Sequence, residues 1–210
     1  MRQTPHSEMD VVPGWALFME KNMMLEEIRC QIDIIDAEIR ELIMKRLNCS
    51  KNVAMAKQAS GNLVIYRADR ELEILERLSQ GVPEDRKAEY LAVVKKIMET
   101  SRMYQYGLLY DWNDELFSER FIEIDIPADP SHIRFTLTRP NHPNSMAQIL
   151  SMIGDYGCNT EFMELIGEDR EKSTVTFTLT ILGNLNEEHI KKLMYQLSME
   201  SQDFAIEHVW

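Results

Sequence analysis

Between Met24 and Ser60 the chain contains neither glycine nor proline, the two residues least compatible with a helix interior. Its large apolar residues recur in alternating steps of three and four, which is the spacing of one face of a long helix that packs along its length. They are Leu25, Ile28, Ile32, Ile35, Ile39 and Leu42. The segment therefore predicts one long helix that ends near Gly61, where glycine can adopt a left-handed cap conformation.

Two cations continue the apolar stripe. Arg46 occupies its next position, and Lys57 lies close to the same face eleven residues later. A cation on a buried stripe costs several kcal/mol unless an anion pairs with it. Taken singly, Arg46 could extend to solvent at an edge, and Lys57 could complement the helix dipole. Taken together, the two cations predict a site for an anion.

The composition limits which classes of partner the protein can bind and indicates the cellular compartment in which it works. The 210 residues carry a formal net charge of -12, which opposes binding to nucleic acid or to an anionic membrane. No apolar run approaches the roughly 18 residues of a membrane-spanning helix. Cys30, Cys49 and Cys158 lack metal-binding or redox spacing and are typical of reduced thiols in a cytoplasmic protein. The five histidines are scattered, so we expect no metal site.

Two further helices and then an α+β segment are predicted. One helix begins near Ala68, and another opens at Pro83 and carries an apolar stripe that turns polar at Ser101 and Gln105. Alternation over residues 121–126 predicts a strand. The later segments predict strand, helix, strand, strand, helix and strand at 133–137, 145–156, 160–165, 174–182, 186–197 and 204–209. This βαββαβ order is the ferredoxin-like arrangement.

These patterns divide the chain into four parts. Residues 1–23 are predicted to form a poorly ordered extension, and residues 24–118 a helical domain. Residues 119–131 are predicted to form a linker with a short strand, and residues 132–210 an α+β domain. The expected fold class is therefore an all-α domain followed by an α+β domain.

Residues 24–106 resemble the all-helical, AroQ-type class of chorismate mutases. The segments that carry the resemblance are EIRCQID from residue 27, MKR from 44, AK from 56, NLVIYRADRE from 62 and ETS from 99, followed by Gln105. Each segment is short, but their joint order and spacing are specific. The resemblance implies a cytoplasmic isomerase that rearranges chorismate to prephenate in phenylalanine and tyrosine biosynthesis, without metal, cofactor or covalent intermediate.

The resemblance also implies a role for each matched residue. Lys57 and Gln105 would face the ether oxygen, where negative charge develops as its bond breaks. Glu71 would accept a hydrogen bond from the ring hydroxyl. The remaining substrate contacts would be Arg29, Arg46, Arg70 and Ser101. Preorganised donors of this kind accelerate a reaction because they stabilise charge that exists only in the transition state.

Helix geometry sets a condition on Arg29. It precedes Arg46 by 17 residues, about 25 Å along one helix at 1.5 Å per residue. It cannot easily share a pocket with Arg46 and Lys57 of the same chain, whereas an antiparallel partner helix would bring a second Arg29 to that end. The family forms intertwined dimers with an arginine supplied in trans, so the resemblance implies an obligate homodimer.

Two departures from the family pattern bear on activity. Arg67 stands where the family has an aspartate, three residues before the Arg70–Glu71 pair. The interval from Lys57 to Arg70 is also one residue longer than usual. An added cation at the lip of the pocket could attract a dianionic substrate, or it could disturb the hydroxyl contact beside Glu71.

Residues 132–210 resemble the ACT family of small regulatory domains, which bind amino acids at the loop before the first helix. In this chain that loop covers residues 139–147, and Asn144, Ser145 and Met146 in it are candidate effector contacts. The chain lacks the Gly-Ala-Leu and Glu-Ser-Arg-Pro segments of ACT domains that sense phenylalanine. A structural or dimerising role is therefore the alternative to allosteric regulation.

Two other functions are compatible with the helical pattern. A lyase that removes pyruvate from isochorismate uses the same fold, and a non-catalytic sensor could retain the ligand pocket. The pair of Lys57 and Gln105, together with the appended domain, favours the mutase. The departure at Arg67 keeps the sensor open as an alternative.

Overall fold

The computed structural model describes residues 14–113, 115–121 and 124–210, with side chains from Met24 onward. The helical part comprises α1 (Gly14–Ala59), α2 (Ala68–Ser79), a 3-10 turn (Glu84–Arg86), α3 (Lys87–Asp111) and the short α4 (Leu116–Arg120). Helix α1 begins ten residues before its predicted start at Met24, so part of the predicted extension is helical. The rest of that extension, residues 1–13, lies outside the described residues.

Helix ends fall where the turn residues predict them. Gly61 has a φ of 69°, and the amide of Asn62 donates to the carbonyl of Lys57 at 3.2 Å, which closes the end of α1. Gly81 has a φ of 78° beyond α2. Both glycines adopt the left-handed conformation, which a side chain would strain.

The second half forms the predicted βαββαβ arrangement. Its elements are β1 (His132–Pro140), α5 (Ser145–Asp155), β2 (Asn159–Asp169), β3 (Thr174–Leu182), α6 (Glu188–Glu200) and β4 (Asp203–Val209). The strands form one antiparallel sheet in the order β2-β3-β1-β4. Alternate residues of the central β1, Ile133, Phe135 and Leu137, are fully buried in the core.

The predicted strand at 121–126 is wrong for its described residues. Phe121 and Ile124–Ile126 belong to no strand, and Ile122 and Glu123 lie outside the described part. Phe121, Ile124 and Ile126 nevertheless pack against the core. The alternation of apolar residues reflects one buried side of a connecting segment, because period two reports which side chains face a core and not whether the backbone is paired.

Contacts divide the chain into two compact units, one ending at Asn48 and the other covering Cys49–Trp210. Within the second unit, α3 packs against α6, with Tyr106 and Tyr195 meeting edge to face at 6.1 Å between ring centroids. The ammonium of Lys96 on α3 lies 2.6 Å from a carboxylate oxygen of Asp155 on α5. Helix α3 and the α+β segment therefore belong to one unit, and the predicted linker does not separate two bodies.

Candidate active site

Helix α3 places two polar side chains on a stripe that is otherwise core. Ser101 and Gln105 are buried, in line with Val94 and Met98. The Ser50 hydroxyl donates to the Ser101 hydroxyl at 3.2 Å. The amide nitrogen of Gln105 donates to the Ser101 carbonyl at 3.0 Å, while its Oε1 is buried and has no hydrogen-bond partner. A buried acceptor left unpaired costs about 1–3 kcal/mol, so this stripe is not optimised for packing alone.

Lys57 lies in the last turn of α1, within the same unit as Ser101 and Gln105. Its side chain is half-buried. Its carbonyl accepts hydrogen bonds from the Asn62 amide and from the Ser60 hydroxyl, at 3.2 and 2.9 Å. The helix end that carries Lys57 is therefore fixed by its own cap.

Glu71, in the first turn of α2, is half-buried and paired with a residue that the motif did not predict. Its Oε1 accepts a hydrogen bond from the buried Arg102 of α3. Burial raises the pKa of the Glu71 carboxyl above its ordinary value, and the charge of Arg102 opposes that rise. Arg102 holds both its carboxylate partners while only 5% of its surface is exposed.

The other two arginines near α2 point to neighbours on its exposed side. Arg70 pairs with Glu73 at 2.8 Å, and Arg67 pairs with Asp69 at 2.5 Å. All four side chains are more than half exposed. Such surface pairs typically contribute less than about 1 kcal/mol, so an anionic ligand can displace them at little cost.

The first unit holds the remaining two predicted residues. Arg29 is exposed and pairs with Glu26 at 2.5 Å, and Arg46 is also exposed. The apolar stripe of α1 is exposed as well, at 44–63% for its six large residues: Leu25, Ile28, Ile32, Ile35, Ile39 and Leu42. The stripe predicted from the sequence is therefore present, but the single chain does not bury it.

One predicted effector residue lines a pocket of about 390 Å³ between α2, α3 and the loop after β1. That residue is Asn144, which has a left-handed φ of 73°. Ser145 is buried with an unpaired hydroxyl, and Met146 packs against the core. The lining mixes apolar and charged groups: Tyr66, Ala68, Glu71, Leu72, Leu75, Lys95, Met98, Glu99, His142, Pro143, Asn144 and Gln148.

Neither metal nor membrane features occur in the described part of the chain. Its His, Cys, Asp and Glu side chains form no group of three or more that could hold a metal ion. Its helices include none with the length and apolar character needed to cross a membrane.

In a comparison with known protein families, residues 28–106 match the chorismate mutase type II family. This range contains α2, most of α3 and every residue of the predicted mutase site. A solved structure titled "GqqA- a novel type of quorum quenching acylases" aligns with a TM-score of 0.36 and 17% identity. The alignment covers 39% of this chain and 43% of that one.

Two curated relatives extend the family match. The intracellular chorismate mutases of Mycobacterium bovis and Mycobacterium tuberculosis are each 33% identical to this chain over 85 residues. The alignments cover 39% of this chain and 80% of each relative. The chain therefore belongs to the chorismate mutase type II family, and its helical part is a chorismate mutase domain, an isomerase.

Proposed function

We propose that this chorismate mutase converts chorismate to prephenate in a pocket that includes Lys57, Glu71, Ser101 and Gln105. The observation that carries the proposal is the burial of Ser101 and Gln105 on α3. Helix packing alone would favour apolar side chains at both positions. A polar substrate bound inside the helical core would form hydrogen bonds with these two side chains, which explains why they are polar.

The proposed mechanism is electrostatic and uses no cofactor. Lys57 and Gln105 donate hydrogen bonds to the ether oxygen as it gains negative charge. The amide group of Gln105 must rotate away from the Ser101 carbonyl to do so, which exchanges one hydrogen bond for another. Glu71 binds the ring hydroxyl, and arginine forks bind the two carboxylates. Holding the substrate folded removes much of the entropic barrier.

The central test follows chorismate with the purified full chain. We expect chorismate to disappear and prephenate to accumulate in equal amounts. Isochorismate is the comparison substrate, and pyruvate is measured in both reactions. Release of pyruvate from isochorismate without prephenate formation would favour the lyase. Saturable binding of chorismate with no turnover would favour the non-catalytic sensor.

We further propose that the active protein is a homodimer that buries the α1 stripe. Six large apolar residues in one line, each about half exposed, form a patch that monomeric proteins seldom leave in water. A second copy carries the same stripe with the same spacing, so it satisfies the periodicity along the whole helix. An antiparallel arrangement supplies Arg29 of the partner subunit to the end of α1 that carries Arg46.

The α+β segment is proposed to act as an ACT-like regulatory domain through the 390 Å³ pocket. Its size suits a small ligand. Glu71 and Glu99 offer acceptors for an ammonium group, Lys95 and Asn144 offer donors for a carboxylate, and Leu72, Leu75 and Met98 line an apolar part. This chemistry suits a free amino acid. Because Glu71 also belongs to the proposed mutase site, such a ligand would affect catalysis through a shared residue.

Calorimetric titration with phenylalanine, tyrosine and tryptophan tests this pocket. We expect saturable heat from at least one of them and a loss of that heat in Asn144→Ala, since the substitution removes a donor from the lining. Asn113→Ala, outside the pocket, is the control. Absence of heat from all three ligands would discard feedback by those amino acids.

A cytoplasmic role in the biosynthesis of phenylalanine and tyrosine is part of the same proposal. Cys30 and Cys49 are exposed free thiols, which suits a reducing compartment. The mycobacterial relatives are named intracellular enzymes. Retention of both thiols in protein isolated under non-reducing conditions would support this assignment, and a disulfide would argue against it.

A further inference from the structure

Arg102 sits at the centre of a buried charge cluster that joins α2, α3 and α6. Its Nε donates to Oε1 of Glu200 at 3.1 Å, and its Nη1 donates to Oε1 of Glu71. The Glu200 side chain is fully buried, at the last residue of α6. One guanidinium therefore connects the proposed hydroxyl-binding carboxylate to the α+β segment.

Two elements of the α+β segment hold Glu200 in place. The side-chain amide of Gln196 donates to Oε1 of Glu200 at 2.9 Å. The buried Arg139 of β1 donates to the backbone carbonyl of Glu200 at 2.8 Å. The guanidinium carbons of Arg102 and Arg139 lie 4.9 and 5.7 Å from the centre of the Tyr66 ring. The cluster therefore combines hydrogen bonds with cation–π contacts in a small buried volume.

Stability alone does not explain this arrangement. Burying ion pairs costs desolvation that their attraction only partly repays, and apolar replacements of similar volume are often as stable. The cluster is also incomplete, because Oε2 of Glu200 and Nε of Arg139 are buried without partners. A role in positioning the Glu71 side chain would explain why charged residues are buried here, where packing alone would favour apolar ones.

We infer that Arg102 is a positioning residue of the mutase reaction, held by Glu200 so that Glu71 presents a fixed carboxylate to the substrate. The inference rests on the proposed function of Glu71. Arg102 binds Oε1 of Glu71 and leaves Oε2 as the acceptor for the ring hydroxyl. Without this contact, the glutamate at the start of α2 would sample several rotamers. The α+β segment thereby acts on the mutase site through the contact of Glu200 with Arg102.

The charges around Glu71 predict a change in the pH dependence of activity that a merely structural role for Arg102 would not produce. The groups that face it are Arg102, Glu99 and Lys95 of α3, Glu200 of α6, His142 of the loop after β1, and Tyr66 before α2. Arg102 lowers the pKa of Glu71, whereas Glu200 raises it. Weakening Arg102 and neutralising Glu200 should therefore move the pKa of Glu71 in opposite directions.

The experiment measures kcat/KM for chorismate against pH in full-length variants, all in a His142→Asn background that removes the imidazole lining the same pocket. In Arg102→Lys, a single ammonium replaces the guanidinium that contacts both Glu71 and Glu200. We expect this ammonium to pair with the more deeply buried Glu200, so that Glu71 loses its contact. The acidic limb should move to higher pH, and kcat/KM should fall by about tenfold, the usual effect of one charged hydrogen bond. In Glu200→Gln, the acidic limb should move to lower pH.

The matched controls are Arg134→Lys and Glu207→Gln, which alter an exposed pair at 3.5 Å and should leave the profile unchanged. Variants that fold, as judged by circular dichroism, but keep the parental profile would overturn the inference. Shifts of the acidic limb in the same direction in Arg102→Lys and Glu200→Gln would also overturn it. If Arg102→Lys does not fold, Glu200→Gln decides alone: a downward shift supports the inference, and no shift rejects it. An inactive parent protein would instead refute the proposed function.

Discussion

Replacing Lys57 with alanine is expected to lower kcat for chorismate by about 10²–10³, the usual effect of removing one donor that stabilises developing negative charge. The loss should fall mainly on kcat, because the charge on the ether oxygen exists in the transition state and not in the ground state. The measurement is steady-state turnover of chorismate by the variant and the parent protein at equal concentration.

Lys51→Ala provides the matched control for this prediction. Lys51 is also on α1 and in the second unit, but it is exposed, whereas Lys57 is half-buried. The control should keep the parental kcat, and both variants should retain the parental circular dichroism spectrum. A Lys57→Ala protein with parental kcat would remove Lys57 from the proposed site.

Mixing two inactive variants, Arg29→Ala and Lys57→Ala, is expected to restore about a quarter of the parental activity. If the partner subunit supplies Arg29, a mixed dimer has one site with both residues intact and one site with neither. Random mixing makes half of the dimers mixed, and half of the sites in those dimers are competent. Separately, each variant should be strongly impaired, since Arg29 binds a substrate carboxylate in this proposal.

The mixture is prepared by joint refolding or co-expression, and its dimer content is measured by sedimentation. A mixture of Arg29→Ala with Arg46→Ala should behave in the same way, because Arg46 belongs to the site of its own chain. If the mixed dimers form but have no activity, Arg29 acts within its own chain. A fully active monomer would reject the dimer itself.

Local sequence signals predicted the helices and strands because each signal is set by neighbouring residues. The α3 stripe placed Ser101 and Gln105 on a buried face, and both are buried. Gly61 marked the end of α1 through the conformation that only glycine adopts easily. The same reasoning failed at Phe121 and Ile124, where burial on one side imitated a strand. Pairing with another strand is a distant property, and alternation does not report it.

The Arg102 cluster was not predicted, although one signal for it exists. Arg102 directly follows Ser101 on a helix whose neighbouring positions are buried, so the buried charge of Arg102 needed a partner. The sequence could not identify that partner. Glu71 and Glu200 lie 31 and 98 residues away, and only the packing of α3 against α2 and α6 brings them together.

The sequence by itself determined the long α1 helix, the βαββαβ order and the family of the enzyme, because periodicity, turn residues and short motifs are local properties of the chain. The tertiary structure decided how the charges are arranged. It left the apolar stripe of α1 exposed, turned Arg67 and Arg70 toward partners on α2, and bound Glu71 to Arg102. A buried charge such as that of Arg102 must pair with an opposite charge, and its partners Glu71 and Glu200 lie far from it in the chain.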